Sequence, residues 1–174
     1  MHQKQAEHLS RVRHLRESFA SENEHLVQLL RQADHAAAER GVEGQWSASQ
    51  VGWHVASVNT RFAAVIGGDV PAARPLPADF VERPWAEIAS AIPDKLEAAA
   101  AATPPPKVTC HDAIAALEAS AVKMAQAFDT LTADRGSTIG ITNPIVGTIN
   151  LYQVGEWAAS HVARHYQQAR RALA

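Results

Sequence analysis

Apolar residues recur three or four positions apart through long stretches of this chain, and that period commits it to helices. The first stripe, Leu9, Val12, Leu15, Phe19, Leu26, Leu30, Ala33 and Ala37, predicts a helix over about residues 5–39, with Gly41 placed to end it. Ser47 and Gln50 form a capping box for a second helix that runs to Ile66 and stops at Gly67-Gly68. Residues 69–83 carry Pro71, Pro75 and Pro77 and read as a long irregular connection. Pro84 suits a first helical position, so a third helix is expected to about Ala102, bent or broken at Pro93. Pro104, Pro105 and Pro106 end it with a stiff spacer. A fourth helix is predicted over residues 112–132, with Ile114, Leu117, Val122, Met124, Phe128 and Leu131 buried. Residues 135–147 follow as a loop, then a last helix over 148–173. No strand is convincing and no repeat of fixed period is present.

Long helices joined by few long connections point to an all-α bundle rather than a solenoid. At 174 residues, a split into two cores would leave each one marginal, so residues 1–174 are read as one domain. The net charge of −2 argues against nucleic acid or a polybasic membrane anchor as partner. No run of 18 apolar residues is long enough to span a bilayer, and no apolar signal segment opens the chain. A single cysteine, Cys110, rules out an intrachain disulfide, and the cytoplasm is the expected compartment.

Histidine is the compositional anomaly, at nine residues. Such abundance weakens any single His-x-x-x-His match, so position relative to the apolar faces has to carry the argument. His54 lies within the second-helix stripe of Val51, Val55, Val58, Phe62 and Val65. In the last helix, the seam Leu151, Val154, Ala158 continues as His161, His165, Gln168. Both histidines stand where a bundle ordinarily places Leu or Val, and residues four apart share a face, so both imidazoles can reach one ion. A third imidazole from a facing helix would complete a three-nitrogen set with an open position, the pattern of catalytic zinc; imidazole also suits nickel and iron. The competing reading makes each a core histidine bonded to a backbone carbonyl or carboxylate, which requires a separate partner for each ring.

The remaining histidines carry less. His2, His8, His14, His25 and His35 fall irregularly on the first stretch, with His8 near the stripe edge, and His111 marks a helix start. Glu22-x-x-His25 imitates half of a di-iron motif whose second copy is absent. Cys110 precedes a helix N-terminus, which can lower a thiol pKa, but no motif surrounds it. No nucleophile elbow, phosphate loop or dinucleotide fingerprint is present. Trp46, Trp53, Trp85 and Trp157 read as packing, with Trp157 one turn before His161. Asn23, on the first apolar stripe, is expected to bond a neighbouring helix.

Three segments together resemble the DinB-like (DinB/YfiT) superfamily. These are Trp46-Ser47 with His54 seven residues after Ser47, Asn143-Pro144-Ile145-Val146-Gly147 before the last helix, and His161-x-x-x-His165-x-x-Gln168. Asn143 stands where the family often has His. The resemblance implies a four-helix bundle with a long crossover connection, a divalent metal (Zn, Ni or Fe) on His54, His161 and His165, and a homodimer. Some relatives of this kind transfer or isomerise groups with a low-molecular-weight thiol as cosubstrate. A bound metal that acidifies a thiol suits that chemistry, and one that activates water would give hydrolysis of a small molecule instead. Gln168 is then the candidate to orient a ligating imidazole, and no general acid or base is identified. A metal-binding stress or damage-inducible protein without turnover, and a metal-free structural dimer, are the other two classes.

Overall fold

The structure is a computed structural model that describes residues 2–93 and 96–174. It is mostly helical. Four long helices dominate: α1 (His2–Gln32), α3 (Ala48–Gly67), α5 (Cys110–Thr130) and α7 (Leu151–Ala172). Short helices α2 (His35–Glu39), α4 (Trp85–Ser90) and α6 (Ala133–Thr138) and strands β1 (Arg74–Pro75), β2 (Ile139–Asn143) and β3 (Gly147–Asn150) fill the connections.

Residue pairs across the seams give the helix directions. Arg11 lies over Tyr152, and His25 faces Tyr166, so α1 and α7 run parallel. Asn59 reaches Ser120 and Gly52 lies against Ala113 and Leu117, so α3 and α5 run parallel too. Arg16 pairs with Asp129 and Arg31 with Glu118, which sets α1 against α5 in opposite senses. Phe62 meets Trp157 while His54 meets His165, and α3 and α7 are likewise antiparallel. Two consecutive long helices that run parallel require a connection that travels the full length of the molecule. Residues 68–109 do this.

The expected second-helix cap is present: Gln50 N–H donates to Ser47 Oγ at 3.2 Å, and Ser47 N–H donates to Gln50 Oε1 at 2.9 Å. Gly68 closes that helix in the left-handed region at φ 87°, where a side chain would be strained. Four sequence expectations need correction. The first helix stops at Gln32, because Asp34 is extended and its carboxylate accepts from Ala37 N–H at 2.9 Å to start α2. The third helix is only Trp85–Ser90: Pro93 lies just beyond it, and the alanine run has no apolar face wide enough to hold a longer helix. Residues 94 and 95 of that expected helix lie outside the described ones.

The loop 135–147 is instead α6 followed by an antiparallel hairpin, β2 on β3, with β1 added at its edge. Asn143 Oδ1 accepts from Ile145 N–H at 2.8 Å and shapes the hairpin tip, and the last helix begins after this hairpin, capped by Asn150 with Gln153. Finally, Leu9 and Val122 are exposed, and Val58 and Val65 are only partly buried. The buried face of α3 is centred instead on Val51, Val55, Asn59, Phe62 and Ile66. Asn23 does turn to a neighbouring helix, accepting from Asn59 Nδ2 at 3.4 Å.

Candidate metal centre

Where α3 crosses α7, three imidazoles come together. His54 is 5% exposed, and His161 and His165 are half-buried on the rim of the α7 core face. Ring centroids are 4.4 Å apart for His161 and His165, 4.7 Å for His54 and His165, and 5.3 Å for His54 and His161. One ligand atom from each lies within 4.8 Å of the others. Helical spacing explains the pair on α7, since a step of four returns to the same face. His54 is brought opposite them by the antiparallel crossing.

The hydrogen bonds around the rings fix which nitrogens face inward. Ala102 carbonyl O lies 2.7 Å from His54 Nδ1. A carbonyl only accepts, so Nδ1 carries the proton and Nε2 keeps its lone pair. Gln168 Oε1 lies 2.7 Å from His165 Nδ1 and imposes the same tautomer. His161 differs: its Nδ1 is buried and has no hydrogen-bond partner. A buried nitrogen without a partner is costly unless something else takes its lone pair or proton.

Burial also keeps the rings neutral. His54 is pushed below the ordinary imidazole pKa by desolvation, partly opposed by its bond to Ala102. His161 is pushed well below it by desolvation first, and then by the repulsion that a second proton on the cluster would meet from His165 and His54, with Arg164 adding to the fall. His165 is lowered to about 4, by desolvation first and then by His54, with Gln168 opposing and Arg164 adding to the fall. Neutral imidazoles are the form that ligates, so the donor set fits a divalent cation. The core-histidine alternative needed a partner for each ring, and His161 Nδ1 has none.

Aromatic rings wall the cluster. Trp46 lies 4.9 Å from His54, Phe62 lies 6.1 Å edge-on to His161, and Trp157 packs on Phe62 at 5.1 Å. Trp85 Nε1 donates to Ser160 Oγ at 2.8 Å, beside His161. The Ala102 carbonyl is the site feature that sequence reasoning missed. It is a backbone group 48 residues from His54, and no side-chain pattern signals it. Trp46, read from the sequence as packing, packs on the cluster itself.

The other singled-out residues lie elsewhere. His8 Nδ1 and the Tyr152 hydroxyl are 2.7 Å apart near the start of α7. His25 faces Glu22 at 3.7 Å on an exposed surface. Cys110 is buried, its thiol donates to Leu30 carbonyl O at 3.4 Å, and burial pushes its pKa up rather than down.

A mostly helical chain that draws three neutral imidazoles from two crossing helices belongs to a class of helical proteins with histidine sites able to hold a metal. The DinB superfamily model matches residues 10–169, and the chain belongs to that superfamily. No curated protein and no solved structure matches it. Among the described residues, no helix is long and apolar enough to cross a membrane.

Proposed function

We propose that this chain is a metal-dependent enzyme acting on a small molecule, in which His54, His161 and His165 hold one divalent ion and a low-molecular-weight thiol is the cosubstrate. In this reading the domain is a single four-helix bundle whose long crossover is residues 68–109, and it works as a homodimer. The observation that carries it is the unpartnered, buried Nδ1 of His161 beside two imidazoles whose own Nδ1 atoms are already committed to acceptors. Three nitrogen donors leave zinc, nickel or iron short of its usual coordination number, so the donor set favours an open position. When bound, a divalent ion supplies acidification of a thiol brought to that position, generating the nucleophile near neutral pH.

The chain's own residues do the rest. Ala102 carbonyl and Gln168 hold the Nδ1 protons of His54 and His165 and so aim the ring nitrogens. Trp46, Phe62 and Trp157 exclude water from one side of the cluster, which strengthens any charge interaction inside it.

Cobalt substitution tests the reading. Adding a small thiol to the cobalt-loaded protein is expected to produce a sulfur-to-metal charge-transfer band that requires all three histidines. A spectrum that ignores thiols but responds to carboxylates moves the function to hydrolysis. A spectrum that responds to neither means that a fourth protein group closes the site, and a structural metal becomes the better account.

A further inference from the structure

One stripe of α3 reaches across to residues 101–106 of the crossover at three successive levels. Gln50 Nε2 donates to the carbonyls of Pro105 at 2.9 Å and Pro106 at 3.2 Å. His54 Nδ1 donates to Ala102 O at 2.7 Å, and Ser57 Oγ donates to Ala101 O at 3.3 Å. The donors are spaced four and three apart and therefore share a helix face. As they advance along α3 the accepting carbonyls step back from 106 to 101, so this strap lies antiparallel along the helix like the side of a ladder. His54 is the middle rung.

The strap has little else to hold it. Within residues 96–107 only Ala102 and Pro104 are buried, and the 3-10 turn Ala100–Ala102 contributes short local bonds such as Ala102 N–H to Ala99 O at 2.7 Å. Segments with so few buried contacts open at low free-energy cost.

We infer that docking of this strap and metal binding at the histidine cluster are coupled through His54, so that the strap acts as a metal-gated latch over the site. This rests on the metal reading proposed above. The carbonyl of Ala102 holds the proton on Nδ1 and so keeps the Nε2 lone pair available to a cation. In return, an imidazole that gives Nε2 to a cation is a stronger donor at Nδ1, and charge-assisted bonds are shorter and stronger than neutral ones. The factor by which a docked strap tightens metal equals the factor by which metal tightens the strap. An undocked strap weakens the site and uncovers the α3 side of it.

Two substitutions loosen the rungs without touching a histidine. Gln50→Glu keeps the oxygen that caps Ser47 N–H but removes the amide that donates to Pro105 and Pro106, and Ser57→Ala removes the last rung. Zinc affinity by chelator competition and hydrogen exchange at amides 99–103 are the readouts, on the full chain with and without zinc. Zinc is expected to slow exchange at 99–103 about tenfold or more in the parent, and the double variant is expected to bind zinc about tenfold more weakly, as loss of outer hydrogen-bond partners usually does. If circular dichroism shows that the double variant has lost helix, Ser57→Ala alone, which leaves the cap intact, must show a smaller loss of the same sign. Parent-like zinc affinity in the folded variants, or exchange at 99–103 indifferent to zinc, overturns the coupling while leaving the metal site standing. A parent that binds no zinc, cobalt or nickel overturns the metal reading and the latch with it.

Discussion

Helix α3 presents two seams made of different material. Toward α5 it is close and mostly aliphatic, with Asn59 and Ser120 as a polar pair within it. A Cβ on Gly52 would come within 3.3 Å of the Ala113 methyl and 3.5 Å of Leu117 Cδ1, so the two backbones approach closely and Leu117, which is fully buried, fills the space beside them. Toward α7 it is aromatic and polar: His54 and Phe62 meet His161, His165 and Trp157. A close, mostly aliphatic seam buries apolar area with few polar atoms to satisfy, which suits stability. The other seam places titratable nitrogens at a half-buried rim, where each ring needs a partner and solvent can still enter. One helix thus keeps its close packing and its histidine cluster on different faces, turned to different neighbours.

The largest expected effect that tests this division is on stability. Leu117→Ala should cost about 2–5 kcal/mol through lost burial and the cavity left behind, with zinc affinity unchanged within about twofold. Urea unfolding together with a zinc titration checks both halves. Phe62→Ala, at the border of the chemical seam, should cost about 3–5 kcal/mol and also weaken zinc, because it removes the ring against His161. Parent-like melts for Phe62→Ala would mean that this face of α3 has been placed wrongly.

Next comes acid. The His165 pKa falls from 6.5 in the unfolded chain to about 4 in the fold, and those of His54 and His161 shift the same way. Between those limits the unfolded state binds more protons, so the metal-free protein's stability is fully present above pH 6.5 and is lost as pH falls toward about 4. The share of His165, discounted for its partial exposure, should be on the order of 1–3 kcal/mol, and replacing it by a neutral Asn should shrink the acid loss while leaving the part due to His54 and His161. Stability that rises on acidification through this window would contradict neutral, desolvated imidazoles. The smallest effect concerns Gln168. Gln168→Ala removes only the acceptor for His165 Nδ1–H, so zinc should bind about tenfold more weakly with the urea midpoint nearly unchanged.

Much of this arrangement is legible in the residues, for identifiable reasons. His54, His161 and His165 stand out because each occupies a helical position that the flanking residues mark as apolar, and the helix period carries over directly into three dimensions. The capping box at Ser47 and Gln50 is legible because it is local. The hairpin at β2 and β3 is not: its burial does not alternate cleanly, and Pro144 and Gly147 imitate a plain loop. Val122 fails as a core residue because the α5 face turned to α3 places Ser120 there, next to Asn59. The Ala102 carbonyl is illegible in principle, since any residue type supplies a carbonyl and only the path of the crossover brings this one to His54.

The central claim is that these three histidines form one metal site. Its most direct test is calorimetric titration of zinc into tag-free, metal-stripped protein at pH 7, beside the His161→Ala/His165→Ala double variant. The account predicts one zinc per chain for the parent and loss of that binding event in the double variant, with both folded by circular dichroism. Full stoichiometric zinc in the double variant, or none in the parent, would contradict it.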